Sequence, residues 1–268
     1  MMSARSPGDD LSFLEDLLPL AGLDVLDVGC GDGLLVRRLA RLGARAIGLE
    51  VSTGHVDAAR AQDASGSAEY VVGVGEALPL ADASLDLVIF MKSLHHVPGK
   101  HMAGALGEAR RVLRAGGAVY VLEPTITGSF FALMQLVDDE ERIRTRAQAA
   151  IAASALVAER TVEYESLYAF ADFSAFRRRL VQVDPQRAAV IDAREPELRA
   201  AFAGLATTDA ASGERLFRQP MLGQMLRRPR VTTAGQALQR CRTPPRSSVR
   251  ASALVAGGPV TSDPERLR

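Results

Sequence analysis

The sequence predicts an α/β protein, a doubly wound and mostly parallel sheet with helices on both faces. Three observations lead there. Short apolar runs alternate with segments of helical spacing through the first half of the chain. Five such runs precede residue 125, and one leads straight into three glycines. Parallel strands covered on both faces read as continuous apolar runs, and helical crossovers join them.

The elements follow in order. Leu23 to Val28 is a buried strand that stops at the glycines. Leu34, Val36, Leu39 and Leu42 then carry a helical spacing up to Gly43. Ala46 to Leu49 is the second strand, followed by a helix from about Thr53 to Ala64. Tyr70 to Val72 is the third strand and Leu85 to Met91 (LDLVIFM) the fourth. A helix from about Met102 to Leu113 stops at Gly116-Gly117, and Ala118 to Leu122 is the fifth strand.

Beyond that sheet, residues 130–160 read as helical and Thr161 to Phe170 as a strand. Helices are expected near Phe173–Val183 and Arg187–Ala203, with Leu216 to Leu226 as a closing strand. The division is thus a core of motifs over 24–124, a helical insertion over about 125–212, and a domain ending near 228. Pro229 to Arg268 differs: five prolines, no aromatic residue, and seven arginines against two acids. Such a segment buries too little apolar surface to offset its ordering entropy, so 229–268 is expected to be a disordered tail.

Charge and composition bound the function. Thirty-two basic residues balance thirty-two acidic ones, unlike the excess of positive charge that phosphate backbones attract. Cys30 and Cys241 are too few for a disulfide framework or a cysteine zinc site, so a reducing, cytoplasmic setting is expected. No apolar run reaches the length of a membrane span, and the first residues do not read as a secretory signal. Oligomeric state leaves no trace in the sequence.

In such sheets, ligands sit beyond the carboxyl ends of the strands. The loop Gly29-Cys30-Gly31-Asp32-Gly33 lies there, and Glu50 closes the next strand nineteen residues after Gly31. A carboxylate at that place suits ribose hydroxyls. No lysine follows the glycines as a phosphate-cradling loop requires, and the spacing G-x-G-x-G departs from the dinucleotide pattern G-x-G-x-x-G. Asp27 and Asp32 would repel a pyrophosphate, and they suit a ligand carrying positive charge, as S-adenosylmethionine does.

The segments VLDVGCGDG, IGLE, EALPLADASLDLVIF, SLHHV and ARRVLRAGGAVYVLEP together resemble the class I S-adenosylmethionine-dependent methyltransferases, which share a Rossmann-like fold. Within them the chain is similar to the type 11-like group that includes the ubiquinone and menaquinone methylases. The resemblance spans Asp24 to Pro124. It implies that Asp27 and the backbone of Gly29, Gly31 and Gly33, with Cys30 filling the loop, hold the methionine part of the cofactor. Glu50 would bind the ribose, Val51 would line the adenine, and Gly75, Glu76, Ala77 and Leu78 would pack around it. Family members often place an aspartate three residues before Ala-Leu-Pro. Val74 stands there in this chain, so either Glu76 or backbone groups read the adenine.

His95, His96 and His101 follow the fourth strand, beside Lys92 and Ser93, which face the cofactor region in the family. His95 and His96 are the candidate catalytic residues, able in principle to take a proton from an acceptor; the alternative is that they only shape the loop. No metal site is expected, because adjacent histidines point apart on most backbones and no carboxylate cluster follows at ligand spacing. Met91-Lys92-Ser93-Leu94 replaces the Asn/Asp-Pro-Pro-aromatic motif of nucleic-acid amino methylases, which disfavours a nucleic-acid substrate. Phe130, Phe131, Met134 and Leu136 form either an apolar lid or one buried helix face, and Tyr164, Tyr168, Phe170 and Phe173 pose the same choice.

The sequence therefore points to a methyltransferase acting on a small-molecule acceptor that it does not identify. Two other readings stay open: a non-catalytic cofactor-binding sensor or partner subunit, and a nicotinamide-dependent oxidoreductase, which the glycine spacing disfavours.

Overall fold

The computed structural model describes residues 4–5 and 10–229. The expected tail lies outside the described residues except for Pro229. The chain runs β1 (Ala4–Arg5), α1 (Asp10–Leu17), β2 (Asp24–Val28), α2 (Leu34–Arg41), β3 (Arg45–Glu50) and α3 (Thr53–Gln62). It continues through β4 (Glu69–Val72), β5 (Leu85–Met91), a 3-10 turn (Leu94–His96), α4 (Met102–Val112) and β6 (Leu113–Pro124). The remaining elements are α5 (Ser129–Met134), α6 (Glu141–Ala152), β7 (Val157–Phe170) and α7 (Phe173–Val183). Then come α8 (Arg187–Ala193), α9 (Glu195–Leu205), β8 (Thr207–Thr208) and β9 (Arg215–Arg227).

The strands form one sheet in the order β1-β7-β9-β6-β5-β2-β3-β4, with β8 beside β9. β4, β3, β2, β5 and β6 are parallel, and β9 runs antiparallel to both β6 and β7. The order reverses between β2 and β5, so a crevice opens there at the carboxyl ends. Leu26, Val28, Val88 and Phe90 pack on one face against α4 and α6. Val25, Leu87, Ile89 and Tyr120 pack on the other against α1, α2 and α3. A third apolar cluster joins Phe170, Phe173, Phe176, Phe202 and Phe217.

Three expectations shift. β6 begins at Leu113, ahead of the two glycines, because Leu113 pairs with Leu85 and a bulge follows. Gly117 passes so close to the Asp86 carbonyl that a Cβ would lie 3.0 Å from it. The segment 125–212 is not only a helical insertion, since β7 is a full sheet strand starting at Val157; its first five residues are exposed and leave no apolar alternation to read. The helix expected over Arg187–Ala203 is two helices, α8 and α9, with Pro196 in the first turn of the second, a position that needs no backbone N–H.

Candidate active site

The glycine loop folds back on β3. Gly29 and Cys30 both donate their N–H to the Leu49 carbonyl, at 2.8 and 3.1 Å. Gly31 has φ +55° and faces open space where a Cβ would sit. The Cys30 thiol turns away from that space and packs against Gly48; burial pushes its pKa up to about 12, so it is no thiolate nucleophile.

Glu50, 8% exposed, accepts from Gly31 N–H through Oε2 and from Ser52 N–H through Oε1, both at 3.0 Å. Each oxygen keeps a second acceptor direction for another donor. Asp27 lies beside it, 2% exposed, with Oδ1 buried and lacking a hydrogen-bond partner. Burial, and then the Glu50 charge, raise its pKa to about 7. An orphaned buried carboxyl oxygen is a place where a ligand with N–H groups and positive charge fits. The residues present therefore suit S-adenosylmethionine better than a phosphate-bearing nucleotide.

The adenine-side candidates gather around this loop. Val51 is 57% exposed, an apolar surface next to Glu50. Val74 and Ala77 close a tight turn through an isolated bridge, with Gly75 buried against Val28 and Glu76 half-buried. Leu78 is tied down by its N–H to Glu108 Oε2 at 2.9 Å.

Ser93 ties the glycine loop to the end of β5. Its Oγ donates to the Val28 carbonyl at 2.5 Å, and a Cβ on Gly29 would lie 2.8 Å from its own Cβ. The next residues reach a cavity of about 1040 Å³ lined by Lys92, His95 and His96 at one end, and by Phe130, Met134 and Tyr168 along its walls. Lys92 adopts φ +58°, and its ammonium binds Asp10 Oδ2 at 2.6 Å. Burial opposes its charge, but Asp10 outweighs that and holds its pKa above the ordinary value. Lys92 thus sits on the cavity side of Ser93, tied to α1.

His95 is 4% exposed. Its Nδ1 is hydrogen-bonded to Glu123 Oε2, while Glu123 Oε1 accepts the N–H of Leu94 at 2.9 Å. His96 lies next to it, exposed at the cavity, its ring centroid 4.1 Å from that of His95; partial desolvation and then His95 favour its neutral form. His101 is not part of the group; it precedes the first residue of α4 and makes no side-chain capping bond there. The premise that adjacent histidines point apart does not hold, because the 3-10 turn swings both rings to one side. Glu140, at the start of α6, joins them: ligand atoms of His95, His96 and Glu140 lie within 4.8 Å of one another.

Phe130 stacks on Tyr168 at 4.0 Å and 8°, and Met134 lines the same cavity. Phe131 is buried beneath Arg144, and Phe170 and Phe173 belong to the third core, so these are packing residues first. Tyr164 is buried and donates to Asp10. Sequence reasoning missed Glu123, Glu140 and Asp10. Glu123 had a signal, since it stands at the carboxyl end of the fifth strand where ligands gather. Asp10 and Glu140 had none.

Among the described residues, no helix is long and apolar enough to cross a membrane. Residues 26–121 match the methyltransferase domain family. Ubiquinone biosynthesis O-methyltransferase of Methylobacterium sp. (strain 4-46) is 36% identical over 117 residues, 43% of this chain and 46% of that protein. The same-named protein of Xanthomonas oryzae pv. oryzae (strain PXO99A) is 34% identical over 126 residues, 46% of this chain and 52% of that protein. The chain thus spans about half the length of the curated relatives it matches. In fold, it is similar to the YcgJ protein of Bacillus subtilis, with a TM-score of 0.59 and 19% identity over 84% of this chain and 100% of that one. A [4+2]-cyclase, SpnF, shares the fold at a TM-score of 0.53 and 19% identity, covering 83% of this chain and 82% of its own. The motifs, the sheet order and the family match thus fall on one segment, residues 26–121, over which the chain is similar to the methyltransferase domain family.

Proposed function

We propose that the protein binds S-adenosylmethionine between the glycine loop and Glu50, and methylates a small molecule held in the adjoining cavity. The observation that carries this reading is the contact of Ser93 with Gly29 and Val28, which brings the glycine loop next to the segment whose Lys92, His95 and His96 line the cavity. When bound, the cofactor supplies an electrophilic methyl group on a sulfonium. Asp27 and the loop backbone hold its amino-acid end, Glu50 the ribose, and Val51 with Gly75, Glu76 and Ala77 the adenine. The curated relatives' name, O-methyltransferase, supports an oxygen acceptor.

The rest is orientation. An acceptor stacked along Phe130 and Tyr168 is held in line, and alignment supplies much of the rate of such a displacement. His95 and His96 are the groups we assign to activating a protonated acceptor. Glu123 takes the Nδ1–H of His95, which leaves the Nε2 lone pair for the cavity side. The cavity, about 1040 Å³ in volume and lined by apolar walls with polar groups among them, is of a size that suits a small-molecule acceptor.

The test is titration of the folded protein with S-adenosylhomocysteine, with NAD as control. Micromolar binding of the first without the second is the expected result. Binding of neither sinks the cofactor assignment. Binding of the product with no transfer to any phenol, catechol or amine would favour the non-catalytic alternative.

A further inference from the structure

We propose that His95, His96 and Glu140 form a binding site for one divalent transition-metal ion at the end of the cavity. Three ligand atoms, two imidazole nitrogens and one carboxylate oxygen, converge within 4.8 Å. His95 Nε2 and Glu140 Oε2 are 4.0 Å apart. Around a tetrahedral ion with bonds of about 2.0–2.1 Å, neighbouring ligands stand ~3.4 Å apart. The His95–Glu140 pair needs to close by roughly 0.6 Å and no pair by more than ~1.4 Å to embrace it, a shift that small rotamer changes supply.

The surroundings favour an ion over a bare cluster. The Nδ1 of His95 is bonded to the buried Glu123, an arrangement that fixes the tautomer and directs Nε2 outward, as carboxylates behind metal-binding histidines do. Arg144 anchors Glu140, but its Nε and Nη2 contacts at 3.0 and 2.6 Å both fall on Oε2. Oε1 carries neither bond, and a turn of the carboxylate about its terminal torsion brings it to the place nearest His95 that Oε2 now holds. His96 is held on the same side by the 3-10 turn. Each ligand is thus positioned by something other than the ion, the condition for a preformed site.

Two nitrogens and one oxygen suit the borderline ions Zn²⁺, Co²⁺ and Ni²⁺ better than Mg²⁺ or Ca²⁺, which prefer all-oxygen shells. Three protein ligands leave an open position, and here it faces the cavity. A hydroxyl of an acceptor bound there would lose its proton to solvent water and remain as a metal-bound oxyanion. That last use rests on the cavity being the acceptor site, whereas ion binding itself does not.

The experiment uses the full chain, stripped of metal with a chelator, and titrates it with Co²⁺ and Zn²⁺, with Mg²⁺ as control. The expected result is one equivalent of Co²⁺ bound, with visible absorption of a four- or five-coordinate site that Zn²⁺ displaces. His96→Ala and Glu140→Gln each weaken Zn²⁺ affinity by about tenfold or more, and Glu123→Gln by a similar factor through His95. His55→Ala and His101→Ala leave it unchanged. S-adenosylhomocysteine affinity is measured on each variant as the control for folding. No stoichiometric Co²⁺ or Zn²⁺ binding by protein that binds the nucleoside overturns the proposal. So does binding that survives both His96→Ala and Glu140→Gln. Metal binding without nucleoside binding would instead overturn the methyltransferase reading and leave the ion site standing.

Discussion

Replacing Asp27 with asparagine is expected to make the ligand-free protein more stable at pH 8 while changing little at pH 4. The side chain is buried with an unpaired oxygen, and its pKa rises from 3.8 to about 7. A raised carboxyl pKa gives stability that is fully present below the unfolded value and is lost as pH rises through the folded one. The window is therefore about pH 4 to 7. Three units at about 1.4 kcal/mol each give roughly 4 kcal/mol of lost stability at pH 8, relative to a neutral side chain. In a domain of this size that is about 8–16 °C in melting temperature. The assay is thermal or urea unfolding of wild type and Asp27→Asn at several pH values, read as the difference between them. Saturation with S-adenosylhomocysteine should flatten the wild-type slope, because its ammonium would pair with the carboxylate. A variant that is less stable than wild type at pH 8, or a difference that does not change with pH, refutes the reasoning.

Other outcomes follow from single contacts. Glu50→Ala removes the acceptor of two backbone N–H groups as well as the proposed ribose partner. Cofactor affinity should fall about tenfold or more, matching charged hydrogen bonds worth roughly 1.5–3 kcal/mol; titration calorimetry showing unchanged affinity would remove Glu50 from the site. Gly33→Ala places a Cβ 2.6 Å from the Tyr70 ring and 2.9 Å from Ala59, at φ +77°. It should cost more than ~2 kcal/mol, against about 1 kcal/mol for Gly22→Ala, where φ is +78° but no atom lies within 4 Å. Equal urea midpoints for the two would refute the packing part of that account. Glu123→Ala strands the buried N–H groups of Leu94 and His95, so a loss of about 2–3 kcal/mol is expected in the same assay. A loss under about 1 kcal/mol would mean the 3-10 turn holds itself.

The sequence by itself determined whatever depends on neighbours along the chain. Apolar runs with no polar interruption must be covered on both faces, so five parallel strands and their helices were legible, as was the closing strand at Leu216 to Leu226. The glycine loop and Glu50 were legible too, since both sit at strand ends whose order in the chain fixes their proximity. Glu50 indeed meets Gly31 across nineteen residues. What only the tertiary structure decided is what depends on proximity without sequence order. Asp10 reaches Lys92 across 82 residues and Tyr164 across 154. Glu123 meets His95 because β6 lies beside β5 in the sheet. Glu140 joins the two histidines because α6 packs on the 3-10 turn, and no local pattern marks that helix start as part of a site. Periodicity records which face of an element is buried, not which element covers it. The cavity beside the histidines is made almost wholly of such meetings, which is why the glycine loop and its contact with Glu50 were readable from the chain and the cavity was not.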